Sequence, residues 1–303
     1  MNKLDFESLR THSETVGSNA DLVQAGGGNT SLKTETGIWI KGSGKRLKNS
    51  KSEDIFVYLE LNELNSSEIA SMEDFIPYIA GNQSDDNCIT PSIETNFHLL
   101  IPKPVVTHLH SLGSIMIAIS NCAVEMIEEV SAYYEIAWIP YARPGVGLAN
   151  SIQKVALGSS PVYLLQNHGV IFSADSFESM NFLIDDFESL ARELILNKPQ
   201  KDENPTWIEI LTGGVLTPDE AVFLGSVPFS LSNDLDEAHI TISNSGEVNI
   251  PVSFNEDKIE VANFYVRLAK AIHKRTNIEY LSSHEVHALL NWDKEILRLG
   301  MAK

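Results

Sequence analysis

The sequence predicts an α/β fold over residues 1–200, followed by a small α+β extension over 201–303. Three observations carry this. Short β-branched runs bounded by Gly, Pro and Asn alternate with segments whose apolar residues recur every three or four positions. The composition, 43% apolar and 21% charged, is that of a globular chain with enough apolar material for a substantial core. The stretch NKPQKDENPT, 197–206, interrupts the periodicity with lysine, proline and acids, and 303 residues suit one domain with an appendage.

Residues 2–19 read as a helix because Leu4, Leu9 and Val16 recur at near-helical spacing before Gly17 and the run Gly26-Gly27-Gly28. NTSLKTETGIWIKGSG then supplies two β-prone pieces, Thr30–Lys33 and Ile38–Lys41, with a turn at Gly37. A further strand is expected at Ile55–Leu61. The acidic, Ser- and Asn-rich stretch after it, to about residue 87, has room for a short helix. A helix is expected to start near Pro91, with Ile93, Phe97 and Leu100 on one side and Pro102 and Pro104 ending it. VVTHLH reads as a strand, Ser114–Ser120 as a helix and Ile136–Pro140 as a strand. Ala149–Leu157 reads as a helix, PVYLLQNHGVIFSA as a strand pair and Ser176–Leu196 as a long amphipathic helix. In the extension, LTPDEAVFLG precedes a hairpin in HITISNSGEVNIPVS, with its turn at Asn244–Glu247, and two helices. The second helix opens with a capping box, Ser282 and Glu285, and carries Val286, Leu289, Leu290, Ile296 and Leu297.

Twenty-two basic against 41 acidic side chains give a formal charge of −19, which repels nucleic-acid backbones and anionic membrane surfaces. Neither is an expected partner. The two cysteines, Cys88 and Cys122, form no CxxC pair and fit a reducing compartment. The N-terminus lacks an apolar signal-peptide core and no apolar run approaches the length that spans a bilayer, so a cytoplasmic location is expected.

His108 and His110 share a strand face in VVTHLH, because side chains at i and i+2 point the same way. Two imidazoles so placed can chelate one divalent metal, or can be two ordinary hydrogen-bonded strand histidines. His168, in QNHGVIF, ends an apolar strand next to a glycine and is placed to project into a cleft. Three histidines with an open fourth position describe a catalytic zinc site better than a structural one. Glu94 lies in the first turn of the helix that leads directly into the histidine strand, and reads as a metal ligand or general base, or as a first-turn acid complementing the helix dipole. His98, one turn later, reads as a structural partner of that helix.

GGGNTSLK has neither P-loop nor GxGxxG spacing, but it offers a close-approach backbone followed by Asn29, Thr30 and Ser31. KGSGKRLKNSK places Ser43 between glycines and concentrates Lys41, Lys45, Arg46, Lys48 and Lys51. That cluster suits an anionic small substrate or a solvated basic loop. Ser92, at the expected helix start, can cap the helix and hold an anion.

The order GGGNTS, KGSG, PSIET, HLH and NHG resembles the class II aldolase/adducin family, which includes fuculose-phosphate and rhamnulose-phosphate aldolases and ribulose-phosphate 4-epimerase. The resemblance covers roughly residues 5–200. It implies a three-layer α/β/α fold with a mainly antiparallel central sheet, and a homotetramer with active sites between subunits. It implies that His108, His110 and His168 bind a divalent metal, usually Zn2+, with Mn2+ or Co2+ as alternatives. Glu94 corresponds to the acid/base glutamate, which can also ligate. The phosphate-binding groups correspond to Asn29, Ser43, Gly44 and Ser92, and Thr30 and Lys41 lie beside them. The chain departs from the fuculose-phosphate enzymes at Ile93, where they carry a second serine, and in Lys33 and Lys41 flanking the anion motifs. The extension, notably LTPDEAVFLG and LLNWDKEILR, is similar to the part that follows the aldolase in fused rhamnulose-phosphate aldolase/alcohol dehydrogenases. No dinucleotide fingerprint follows it.

These matches imply a metal-dependent aldolase that cleaves a phosphorylated ketose or sugar-acid derivative through a metal-stabilised enediolate. Decarboxylation of a 3-keto sugar-acid phosphate and pentulose-phosphate 4-epimerisation are the rivals on the same site, and an adducin-like scaffold is the non-enzymatic one. Tyr141 and Arg143, in YARPG, are candidates to protonate the leaving aldehyde across a subunit interface, with loop packing as their alternative role.

Overall fold

A seven-stranded sheet lies at the centre of the molecule, in the order β3-β2-β1-β4-β7-β6-β5. Its strands are β1 Asn29–Lys33, β2 Gly37–Lys41, β3 Phe56–Glu60, β4 Val105–Leu109, β5 Ile136–Ile139, β6 Val162–Leu165 and β7 Gly169–Ala174. All neighbours are antiparallel except β5 and β6. The computed structural model describes residues 5–60, 64–80, 89–155, 160–234, 236–294 and 300. Leu4, Leu61, Cys88, Leu157, Ile296 and Leu297, invoked above, lie outside these residues.

Alternation along the strands decides which helix layer each side chain meets. On one face Val105, Leu109, Val162, Leu164, Val170 and Phe172 pack against α1 Phe6–Gly17, α4 Leu112–Ala118, α5 Ala123–Val130 and α7 Phe177–Leu196. On the other, Val106, Tyr163, Leu165 and Ile171 pack with Phe97 of α3 Thr95–Leu100 and with Leu148 and Ile152 of α6 Val146–Val155. A short helix, α2 Ser66–Ser71, covers α3 and α6. The result is the three-layer α/β/α arrangement. The first apolar cluster continues into α8 Trp207–Thr212, strands β8 Phe229–Leu231 and β9 Ile240–Ile242, and α10 Glu256–Ile272. Further elements are α9 Pro218–Leu224, β10 Val248–Asn249 and α11 Ser283–Leu290, with 3-10 turns at Leu47–Asn49 and Ile76–Tyr78. β8, β9 and β10 form a second sheet that includes the expected hairpin, and Ser282 and Glu285 form the expected capping box.

Two departures from the sequence reading have clear causes. The helix expected near Pro91 begins only at Thr95, because Pro91 bridges to Gly42 and Ser92 N–H donates to Lys41 O at 3.1 Å. That pairing keeps residues 90–92 extended. Helix α5 was not anticipated, although Ala123, Met126, Ile127 and Val130 are buried at helical spacing. Among the described residues no helix is long and apolar enough to cross a membrane.

Two buried polar residues bind helices of one layer to each other and to the sheet. The Glu188 carboxylate, reaching from α7, accepts from Ser111 Oγ, from Gly113 N–H at 2.9 Å and from Ser114 N–H at 3.3 Å, and so fixes the start of α4. His12 of α1 donates through Nδ1 to Asn181 Oδ1 at 2.6 Å and accepts at Nε2 from Thr107 Oγ1 at 2.8 Å. Burial pushes His12 down from 6.5 to about 4, with the Asn181 bond pulling the other way. Between these values the unfolded chain binds a proton that the folded chain refuses, so stability falls as the pH drops from 6.5 towards 4. In urea titrations, the stability difference between wild type and His12→Gln is expected to narrow by up to about 3 kcal/mol as the pH falls across that interval. A difference independent of pH contradicts the assignment.

Candidate metal centre

Strand register assembles the site. Asn29 of β1 lies opposite His108 of β4, and on the other side of β4 Leu109 lies opposite Val170 of β7. His110 follows β4 directly, and His168 sits in the turn between β6 and β7, where Asn167 takes left-handed backbone at φ 52°. The three imidazoles are buried, and one ring nitrogen of each lies within 4.8 Å of the other two. Phe97 meets His108 edge-on, with ring centroids 5.6 Å apart, and closes the floor.

Hydrogen bonds outside the cluster fix how the rings face it. His108 Nδ1 donates to Val170 O at 2.9 Å and His110 Nδ1 to Asp219 Oδ2 at 2.8 Å. Both Nε2 atoms then turn lone pairs inward, 3.0 Å apart. Two lone pairs at that separation repel unless a cation lies close to both. Burial pushes His108 down to about 4, against the pull of Glu94, which favours the neutral, ligating form. The Glu94 carboxylate lies 3.5 Å from His108 Nε2 and 3.6 Å from His168 Nε2. Its Oε1 is buried without a hydrogen-bond partner among the described residues. An orphaned carboxylate oxygen beside three imidazole nitrogens is a donor set that fits a divalent cation.

A polar chain steadies Glu94. Ser31 Oγ donates to His98 Nδ1 at 2.7 Å, His98 Nε2 donates to Asn29 Oδ1, and Asn29 Nδ2 donates to Glu94 Oε2 at 2.9 Å. His98 therefore serves β1 as much as its own helix. Glu94 occupies the cap position of α3 rather than its first turn.

The cleft above the histidines is lined by Asn29, Lys41, Ser43, Gly44, Ser92 and Glu94, among others. Two expectations need correction. Thr30 points to the opposite sheet face, where its hydroxyl bonds Ser13 Oγ at 2.7 Å. The basic run is largely engaged within the chain. Arg46 pairs with Glu256, Asp257 and Glu260, Lys48 with Glu256, and Lys51 with Glu14. Buried Lys41 Nζ donates to Gly26 O at 2.8 Å and Lys45 O at 2.7 Å, tying the two glycine-rich loops together at the cleft wall. Lys33, pushed down by burial to about 7, donates to the carbonyls of Ile101 and Lys103. Tyr141 and Arg143, expected to act across a subunit interface, do not line the cleft of their own chain. Tyr141 packs with Val215, Ala221 and Leu281, where burial pushes its hydroxyl pKa up, and Arg143 stacks over Trp292.

Sequence reasoning missed Pro218 and Asp219, which join the cleft from α9. Thr217-Pro218 is legible as a helix start, but nothing local says that this helix reaches the histidines.

Residues 13–195 match the family model described as Class II Aldolase and Adducin N-terminal domain. The uncharacterized oxidoreductase YuxG of Bacillus subtilis is 28% identical over 188 residues, 57% of this chain and 27% of its own. The chain thus spans about a quarter of that relative's length. Among solved structures, the N-terminal class II aldolase domain of a conserved protein from Thermoplasma acidophilum has a TM-score of 0.52 at 22% identity, covering 64% of this chain and 95% of that one. L-fuculose-1-phosphate aldolase from Thermus thermophilus has a TM-score of 0.42 at 16% identity, covering 63% and 92% respectively. The first of these supports the three-layer fold.

Replacing His98 by Leu leaves Ser31 Oγ and Asn29 Oδ1 buried without this partner. In urea titrations the His98→Leu variant is expected to lose about 2–4 kcal/mol of stability. A loss below about 1 kcal/mol would show that the chain from Ser31 to Glu94 is not held as described.

Proposed function

This chain belongs to the class II aldolase and adducin family, and on that premise we propose that it is a metal-dependent carbon–carbon lyase acting on a phosphorylated ketose or sugar-acid derivative. The observation that carries the reading is the meeting of three buried imidazoles and the orphaned Glu94 oxygen at the floor of a cleft whose walls offer Asn29, Ser43, Gly44 and Ser92. The retained ligand set argues against a scaffold role.

In this proposal His108, His110 and His168 hold the cation, with Glu94 available as a further donor, and the nitrogen-rich set suits Zn2+. When bound, the cation supplies the Lewis acidity that stabilises negative charge developing on substrate oxygens as the bond breaks. Glu94, steadied by Asn29, moves the proton at the nucleophilic carbon. Ser43, Gly44, whose backbone is left-handed at φ 70°, and Ser92 hold the phosphate or carboxylate, so that binding remote from the bond orients the reacting carbon. Low cysteine content and the family resemblance extend the proposal to a cytoplasmic homotetramer.

Incubation of the Zn2+-loaded protein with ketose 1-phosphates is expected to release dihydroxyacetone phosphate, read in a coupled assay, with loss on chelation and recovery on adding Zn2+. Release of carbon dioxide from a 3-keto sugar-acid phosphate would reassign the same site to decarboxylation, and an isomerised pentulose phosphate to epimerisation. Absence of turnover on every sugar phosphate and sugar-acid phosphate overturns the enzymatic reading. Glu94→Gln is expected to lower kcat by about 100- to 10,000-fold.

A further inference from the structure

Asp219 lies outside the segment 13–195 that the family shares, as the second residue of α9, yet its carboxylate bonds directly to the metal-facing cluster. Asp219 and His110 are 6% and 5% exposed, so water does not weaken their 2.8 Å bond. We propose that Asp219 is a positioning residue of the metal centre, and that the segment 201–303 completes the site rather than decorating it.

Three features of the structure converge on this pair. The first is its anchoring. Asn167, the residue before His168, donates through Nδ2 to Leu216 O at 2.9 Å and to Glu279 O at 2.8 Å. Leu216 N–H donates to Glu220 Oε2 at 2.6 Å, and Thr217 caps α9 while its hydroxyl bonds Tyr265. The peptide that carries Asp219 is thus stitched to the neighbour of one candidate ligand and delivers its side chain to another. The second is space. A Cβ on Gly27 would come within 2.7 Å of Asp219 Oδ2 and 3.0 Å of His110 Nδ1. The glycine-rich loop therefore makes room for the pair, which accounts for Gly27 without any demand on its backbone angles. The third is direction. A carboxylate accepting from Nδ1 holds the proton there and makes Nε2 the donor atom, pointing at His108 Nε2. It also makes that nitrogen more basic towards a cation, as carboxylate–imidazole–metal arrangements do generally.

The inference rests on the proposed metal function, and one experiment separates the two. Full-length wild type, Asp219→Asn, Asp219→Ala and Gly27→Ala would be titrated with Zn2+ alone against a chromogenic chelator, with thermal unfolding of each metal-free protein alongside. Asp219→Ala is expected to bind Zn2+ about 10- to 100-fold more weakly. Asp219→Asn keeps the size and an acceptor oxygen but not the charge, and is expected to fall between, with the metal-free Tm unchanged. Gly27→Ala is expected to weaken binding by forcing the pair apart. Co2+ in place of Zn2+ is expected to show shifted visible bands in Asp219→Asn. Should Asp219→Ala fail to fold, Asp219→Asn decides. Wild-type affinity and an unshifted Co2+ spectrum in Asp219→Asn overturn the role of Asp219 while leaving the metal function intact. A wild type that binds no Zn2+ removes both.

Discussion

The placement of β4 between β1 and β7 is the constraint on which the site depends. One hydrogen-bonded ladder sets Asn29 beside His108, and the other sets Val170 where its carbonyl can take the His108 Nδ1 proton. A slip of one residue in either ladder would exchange the two faces of the strand. His108 would then point at α1 and α7, and Thr107 would occupy the floor of the cleft. Register is held by the apolar residues on both faces of β4, since Val105 and Leu109 fit one helix layer and Val106 the other. Chemistry at this site is thus secured by packing that has no chemical role.

Around that floor almost every polar side chain is directed by a neighbour. His98 orients Asn29, Asn29 orients Glu94, and Val170 and Asp219 orient the two histidines of HLH. Such a network is costly to bury and repays the cost only when each member is satisfied. The Glu94 oxygen that has no hydrogen-bond partner among the described residues is therefore informative: there the protein has kept a carboxylate donor in reserve. Arg46 and Lys48 are likewise directed by neighbours, away from the cleft. Their charges meet the acids of α10 and lock the loop bearing Ser43 and Gly44 against the rest of the molecule.

Much of this was legible in the sequence because it depends on short-range pattern. The alternation of VVTHLH placed two histidines on one face, the glycines marked the loops, and the 20-residue periodicity of α7 was plain. What failed depended on contacts between distant segments. Thr30 was grouped with Asn29 although adjacent strand residues face opposite ways, and Arg46 and Lys48 were assigned to an anionic substrate or to solvent because their acidic partner Glu256 lies some two hundred residues away. The late start of α3 reflects a bridge from Pro91 to Gly42 that no local propensity announces. Asp219 was invisible for the same reason: TPDE is an ordinary helix opening until the fold carries it to His110.

The bond between His110 and Asp219 joins residues 109 positions apart, and those between Arg46 and α10 reach farther still. During synthesis the three histidines leave the ribosome well before the segment that orients one of them. Long-range contacts of this kind form late, after the local ones that precede them in the chain. A nascent chain thus displays the three imidazoles before the carboxylate that orients one of them. The proposed centre is therefore complete only once the segment bearing Asp219 has folded onto His110.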